Sequence, residues 1–208
     1  MAKDFTIRKM CMEDIPSVVA IHRRAFRGYF LEQMGVRFLK TYYELTLLYR
    51  QPIALVYEEV DLSVKGFAVG FINPKAFYGY FKKSRLKLFL PTILGLLTNP
   101  QLISKVFQNM RRIFISGSSA NLILAGDEFA ELSSIATSKN SSGVGSALLA
   151  QFLQDAWSRD VSCVTLTTDL DNNEKAHKFY KKFGFIQDDI VRRQGRNLSH
   201  YVLVHEEI

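Results

Sequence analysis

Phe129–Leu149, FAELSSIATSKNSSGVGSALL, decides how the rest of the chain is read. Ala130–Ile135 mixes apolar and β-compatible residues, and Ser138–Ser142 is polar and turn-prone. From Gly143 the pattern turns helical, with Val144, Ala147, Leu148 and Phe152 on one face. The stretch predicts a strand, a tight loop and a helix start, and it puts Asn140-Ser141-Ser142-Gly143-Val144-Gly145 at the helix N-terminus. The first amides of a helix lack intrahelical acceptors, and the dipole there is positive. Glycines let a bulky anion approach those amides, so the loop reads as a phosphate cradle. Two familiar cradles are excluded. A P-loop needs Gly-Lys-Ser/Thr, but Ser146 and Ala147 follow Gly145. A dinucleotide fingerprint needs a third glycine where Leu148 stands, and an acidic residue after the next strand, a place Asp169 fills only loosely.

Downstream runs Asn173-Glu174-Lys175-Ala176-His177-Lys178-Phe179-Tyr180-Lys181-Lys182-Phe183-Gly184-Phe185. Ala176, Phe179, Tyr180 and Phe183 share one helical face, Gly184 is placed as a C-terminal cap, and Phe185 starts the next strand. The two segments together resemble motifs A and B of the GNAT superfamily of acyl-CoA-dependent N-acetyltransferases. Motif A is Arg/Gln-x-x-Gly-x-Gly/Ala, matched by Asn140-x-x-Gly143-x-Gly145 with Asn140 in place of the Arg or Gln. Motif B is Asn-x-x-Ala-x-x-(apolar)-Tyr-x-x-x-Gly-Phe, matched at nearly every position. The order is the family's, with one helix and one strand between the motifs.

The resemblance implies an α+β chain of the α/β-type GNAT fold: a central mixed, mostly antiparallel twisted sheet, flanked by helices and splayed at its middle strands. It implies acetyl-CoA as co-substrate, and no metal. By resemblance, the backbone of Ser134, Ile135 and Ala136 holds the pantetheine arm and faces the developing oxyanion. Asn140, Ser141, Ser142, Gly143, Val144, Gly145 and Ser146 hold the pyrophosphate, and Ala176 and Phe179 join the cofactor site. Asn173 caps the motif B helix and touches the cofactor. Tyr180 takes the place of the general acid, because a phenol titrating near pH 10 can donate to a departing thiolate. Glu131 is the candidate general base, on the solvent-facing parity of its strand opposite Leu132; Glu128, or no side chain at all, is the alternative. The first helix pair of the family overhangs the acceptor pocket, which makes Tyr29, Glu32 and Arg37 candidate substrate contacts.

Upstream, Phe5–Arg8 alternates as a strand and Met12–Phe26 reads as a helix with Ile15, Val18, Val19, Ile21 and Ala25 as its apolar set. Arg27-Gly28-Tyr29-Phe30 breaks it, and Leu31–Tyr49 continues helically. Ile53–Glu58 and Val64–Asn73 read as strands around the turn Asp61-Leu62-Ser63. Residues 74–127 then precede the motif A strand, Glu128–Ile135, about forty of them in an insertion, where an ordinary connection has roughly four to six residues. Within them Phe77–Leu97 is apolar and basic, Gln101–Ile113 is amphipathic, and Ile113–Ser116 and Leu122–Leu124 are strand-like. One domain over 1–208 with a helical insertion at about 74–112 is the expectation. The insertion is read as a lid over the acceptor site, a dimer contact in a monomer-or-homodimer protein, or a basic amphipathic surface in peripheral membrane contact over 77–112. After the motif A helix, Gly143–Arg159, come a strand at Cys163–Thr168 and a final hairpin of Phe185–Arg192 and Leu198–His205.

Composition narrows the function. The net charge is +7, yet between Pro74 and Gly126 there is no acidic residue, while Lys75, Lys82, Lys83, Arg85, Lys87, Lys105, Arg111 and Arg112 all lie there. That segment lacks the aromatic platform or module of a nucleic-acid binder, so no nucleic-acid partner is expected. The start, MAKDFTIRK, has no apolar signal region, and no apolar run nears the eighteen or so residues that span a bilayer, which predicts a cytoplasmic protein. Cys11 and Cys163 are far apart and read as free thiols, and no His/Cys/Asp cluster has metal-ligand spacing. The expected activity is acetyl transfer from acetyl-CoA to a primary amine of a small-molecule acceptor by direct attack in a ternary complex. The basic insertion suggests an anionic acceptor, and the stretch Ala25–Gly35 resembles GNATs of polysaccharide-sugar pathways, so an amino-sugar nucleotide is the favoured acceptor. The alternatives are a non-catalytic acyl-CoA-binding protein and a protein or peptide N-acetyltransferase.

Overall fold

The computed structural model describes residues 5–84, 129–139, 142–193 and 196–205. The first three strands are β1 (Phe5–Lys9), β2 (Pro52–Glu59) and β3 (Val64–Ile72), each antiparallel to the next, and the near-continuous apolar runs of β2 and β3 suit strands buried on both faces. Between β1 and β2 lie α1 (Ile15–Ala25), the short α2 (Phe30–Gln33) and α3 (Val36–Leu48). Pro16 sits in the first turn of α1, where its missing N–H costs nothing. The single helix expected over Leu31–Tyr49 is in fact two. Gly35, at φ 90°, adopts a left-handed conformation that ends one helix and starts the next.

After β3 comes α4 (Pro74–Lys83), capped by the Asn73 side chain, which accepts from the Ala76 amide at 3.0 Å. It is the part of the expected insertion that lies within the described residues. Phe77 and Phe81 are buried, and Phe77 stacks on Phe71 of β3 with ring centroids 3.6 Å apart. Its cationic Lys75, Lys82 and Lys83 are exposed. The rest of the expected insertion, the two strand-like pieces after it and Glu128 lie outside the described residues.

Then follow β4 (Ala130–Thr137), α5 (Val144–Trp157), β5 (Cys163–Asp169), α6 (Glu174–Lys182), β6 (Ile186–Arg193) and β7 (Arg196–Val204). The strand order is β1-β2-β3-β4-β5-β7-β6, and β4–β5 is the one parallel pair among the described strands. The motif A strand begins and ends two residues later than the pattern suggested, since Thr137 still pairs with Gly66.

Two cores flank this sheet. On one face α1, α3 and α4 bury Val18, Phe38, Tyr43 and Phe77 against Val56, Phe67, Val69 and Phe71. On the other, α5 and α6 bury Leu148, Phe152 and Tyr180 against Leu55, Ala68, Leu132, Val164 and Tyr201. Gly70 is required where β3 meets β4 and α5: a Cβ there would lie 2.1 Å from the Glu131 carbonyl oxygen and 2.7 Å from the Phe152 ring.

His22 of α1 is buried in the first core, tilted against Phe26 and stacked with Phe67, and its Nδ1 lies 2.7 Å from the Tyr43 hydroxyl. Burial pulls its pKa from 6.5 down to about 4. Below pH 6.5 the unfolded chain therefore binds a proton that the folded chain refuses until about pH 4. Stability is full above that window and falls as pH drops through it, with a slope of up to about 1.4 kcal/mol per pH unit. The urea midpoint should decline between pH 7 and pH 5 in the natural chain and decline less in His22→Gln. Equal slopes in the two proteins would contradict this.

Candidate active site

The parallel pair β4–β5 is joined at two positions, Ala130↔Val164 and Glu131↔Thr165. Beyond them the strands diverge, so β5 offers no ladder partner to the backbone of Leu132–Thr137. The register between β3 and β4 also shifts here: Val69 faces Ser134 and Gly70 faces Leu132, which leaves Ser133 as an extra, bulged residue. The bulge turns Ser133 and Ser134 toward the same side. Tyr42 reaches Ser133 at 2.7 Å. Ser134 and Ala136 are thus buried on the α1–α3 side, while Ile135 packs against the opposite core.

The opening between the strands leads to the N-terminus of α5. Gly143 caps that helix at φ 82°, a conformation that favours glycine, and the first helical bond is Ala147 N–H to Gly143 O at 3.0 Å. The amides of Val144, Gly145 and Ser146 precede that bond and have no acceptor within the helix. Nothing in the packing of the described residues demands glycine at position 145: a Cβ there would make ordinary contact, 3.8 Å, with the Phe179 ring and Thr137. A Cβ at Gly143 would meet no atom of the described residues within 4 Å. Ser142 is exposed and Ser146 half-buried, and Asn140 and Ser141 lie outside the described residues.

From the other side of the opening, α6 contributes Ala176, Phe179 and Tyr180 to the second core. Tyr180 is 9% exposed and packs beside Phe179, Phe185 and Tyr201. Burial pushes its phenol up to about 12. Asn173 sits at the N-cap position without capping. Its amide donates to Thr168 Oγ1 at 2.6 Å and to the Asp169 carbonyl at 3.4 Å, so it ties the end of β5 to α6 instead.

Glu131 lies on the face opposite Leu132, as strand parity predicts, but α4 partly covers that face. It is half-buried on the α3–α4 side, where Tyr78 of α4 donates to Oε1 at 2.6 Å. Tyr78 was not visible as a site residue, because only the packing of α4 brings it there. Tyr29, from the turn after α1, donates to Asp169 Oδ2 at 2.5 Å. Arg196 of β7 pairs with the same carboxylate oxygen and lies 4.0 Å over the Tyr29 ring. Burial, and then Asp169, raise the Tyr29 pKa. Glu32 is not part of this cluster: it pairs with Arg23 at 3.6 Å and accepts from the Gly28 amide. Arg37 is exposed on α3 and stays apart as well. Asp169 and Arg196 carried no recognisable signal as site residues, since their partners are remote in the chain.

A cavity of about 500 Å³ lined by Met10, Cys11, Leu47, Asp155 and Arg159 opens at the β1–β2 edge, and its lining holds none of the residues above. Residues 113–185 match the model of the acetyltransferase (GNAT) family. Over that span the chain resembles a GNAT acetyltransferase domain.

Solved structures agree on the fold. An N-acetyltransferase from Staphylococcus aureus superposes with a TM-score of 0.61 at 18% identity, covering 97% of this chain and 98% of that one. Ard1 from Thermoplasma volcanium gives 0.59 at 21% identity, with 98% and 99% covered. Naa50 of Arabidopsis thaliana, in complex with the bisubstrate analogue CoA-Ac-MVNAL, gives 0.59 at 13% identity, with 97% and 99% covered. No curated protein matches the sequence. GNAT enzymes use acetyl-CoA, and the residues present suit it: three amides without an acceptor inside their helix, a glycine at 145 that packing among the described residues does not require, and a strand edge that β5 leaves after two pairs. No helix among the described residues is long and apolar enough to cross a membrane.

Proposed function

We propose that this chain is a GNAT acetyltransferase that binds acetyl-CoA in the β4–β5 opening and transfers the acetyl group to a primary amine of a small-molecule acceptor. The observation that carries the reading is the two-pair β4–β5 ladder, which opens directly onto the Gly143-capped end of α5. In this reading the amides of Val144, Gly145 and Ser146 hold the pyrophosphate, with Asn140, Ser141 and Ser142 completing the loop. Phe179 and Ala176 wall the cofactor on the α6 side, and the free edge of β4 from Ser134 to Ala136 takes the pantetheine arm.

Acetyl-CoA supplies the activated thioester. Glu131 accepts the proton that the amine loses as its nitrogen bonds the carbonyl carbon. Tyr180 donates its phenolic proton to the sulfur as the C–S bond breaks. The two residues approach from opposite faces of the sheet, Glu131 beneath α4 and Tyr180 from α6. A phenol near 12 keeps its proton throughout the working pH range. The same desolvation that weakens it as an acid also raises the proton affinity of a thiolate forming beside it.

Tyr29, held on Asp169 beside Arg196, contributes to the acceptor side, with Glu32 supporting that turn through Gly28. An amino-sugar nucleotide is the favoured acceptor, on the basic charge between Pro74 and Gly126. Calorimetric titration with acetyl-CoA, NAD and ATP, followed by thiol release across a panel of amines, tests the reading. Selective acetyl-CoA binding with amine-dependent thiol release supports it. Binding without release from any amine would instead identify a non-catalytic acyl-CoA-binding protein.

A further inference from the structure

We propose that Tyr42 is a positioning residue for acetyl transfer, clamping the β4 bulge through Ser133. The inference rests on the function proposed above, because it concerns the strand edge that borders the thioester. Past Glu131, β4 has no ladder partner on β5, and its register with β3 is broken at Ser133. A bulge leaves its extra residue outside the ladder, so strand pairing alone does not hold the backbone there.

Side chains take over that task. The Tyr42 hydroxyl meets Ser133 Oγ at 2.7 Å, so α3 grips the bulged residue of β4. Tyr42 and its neighbour Tyr43 are buried, 6% and 0% exposed, which fixes their rings. Tyr43 is held in turn by His22 Nδ1 at 2.7 Å and by edge contacts with Phe67 and Tyr42. On the far side of the bulge Gly70 allows the close approach of the Glu131 carbonyl. None of these side chains needs to touch the substrate. Their effect is to set where the amides and carbonyls of Ser133–Ala136 point, and small errors in such an edge are costly to rate.

Steady-state kinetics on Tyr42→Phe and Ser133→Ala should show kcat lower by about tenfold, with KM for acetyl-CoA within about twofold of the natural enzyme. The double variant should be no slower than either single one, because each removes the same bond. Ser133→Thr, which keeps a hydroxyl, should recover most of the rate. Amide hydrogen exchange should quicken at Ser133–Ala136 in both single variants and stay unchanged in β2. Unaltered kcat, multiplicative losses in the double variant, or exchange that quickens equally across the sheet would each overturn the proposal. A natural protein that neither binds acetyl-CoA nor releases thiol would sink the functional reading alone. The exchange at Ser133–Ala136 would then still decide whether the clamp exists.

Discussion

Gly143→Asp should lose measurable acetyl-CoA binding, an effect of about a thousandfold in Kd. Gly143 caps α5 at φ 82°, and a Cβ there meets no atom of the described residues within 4 Å. The aspartate carboxylate does meet the position proposed for the pyrophosphate. Two unit charges about 4 Å apart near a protein surface repel by roughly 4 kcal/mol, and each 1.4 kcal/mol is tenfold in affinity. The fold should survive, since aspartate tolerates the left-handed conformation better than most residues and a negative charge suits a helix N-terminus. Gly143→Asn supplies the control, because it has the same shape without the charge. Calorimetry should find Gly143→Asn within about tenfold of the natural protein and Gly143→Asp beyond detection. Equal affinity in the two variants would remove the pyrophosphate from this end of α5.

Tyr180→Phe should lower kcat by about a hundredfold to a thousandfold while acetyl-CoA affinity stays near that of the natural protein. The substitution removes one hydroxyl and keeps the ring, whose neighbours Phe179, Phe185 and Tyr201 lie at centroid distances of 5.2, 5.9 and 6.0 Å. The core around α6 therefore stays filled, and the thermal midpoint should move little. The pH dependence has a definite sign. The donor form of a phenol pushed up to about 12 persists through neutral and mildly alkaline pH, so Tyr180 contributes no falling limb below pH 10. The profile of Tyr180→Phe should run parallel to the natural one, displaced downward. A variant with unchanged kcat would take Tyr180 out of the mechanism.

Local pattern carried much of this protein. The strand-loop-helix reading of Phe129–Leu149 and the amphipathic face of Ala176, Phe179, Tyr180 and Phe183 are present in the structure as β4, α5 and α6. Each depends on short periods, turn residues and a glycine at a helix end, which act within a few residues. The same reasoning gave the face of Glu131 but not its exposure, since parity along a strand assumes that nothing packs above it. Here α4 returns over β4 and supplies Tyr78. It failed for Asn173. The spacing suits a cap, yet the end of β5 offered Thr168 Oγ1 and the Asp169 carbonyl, and the side chain went there.

The site divides the same way. Gly143, Gly145, Phe179 and Tyr180 were legible because their motif spacings are local. The pairing of Tyr29 with Asp169 joins residues 140 positions apart, and that of Tyr42 with Ser133 spans 91. The sequence by itself determined the elements, their order and the glycine at the start of α5, because backbone propensity and hydrophobic period are properties of neighbours. Only the tertiary structure decided the bulge at Ser133, the tyrosine that grips it and the Tyr29–Asp169–Arg196 cluster. Those depend on which distant surfaces the two cores press together, and no short stretch of sequence records that.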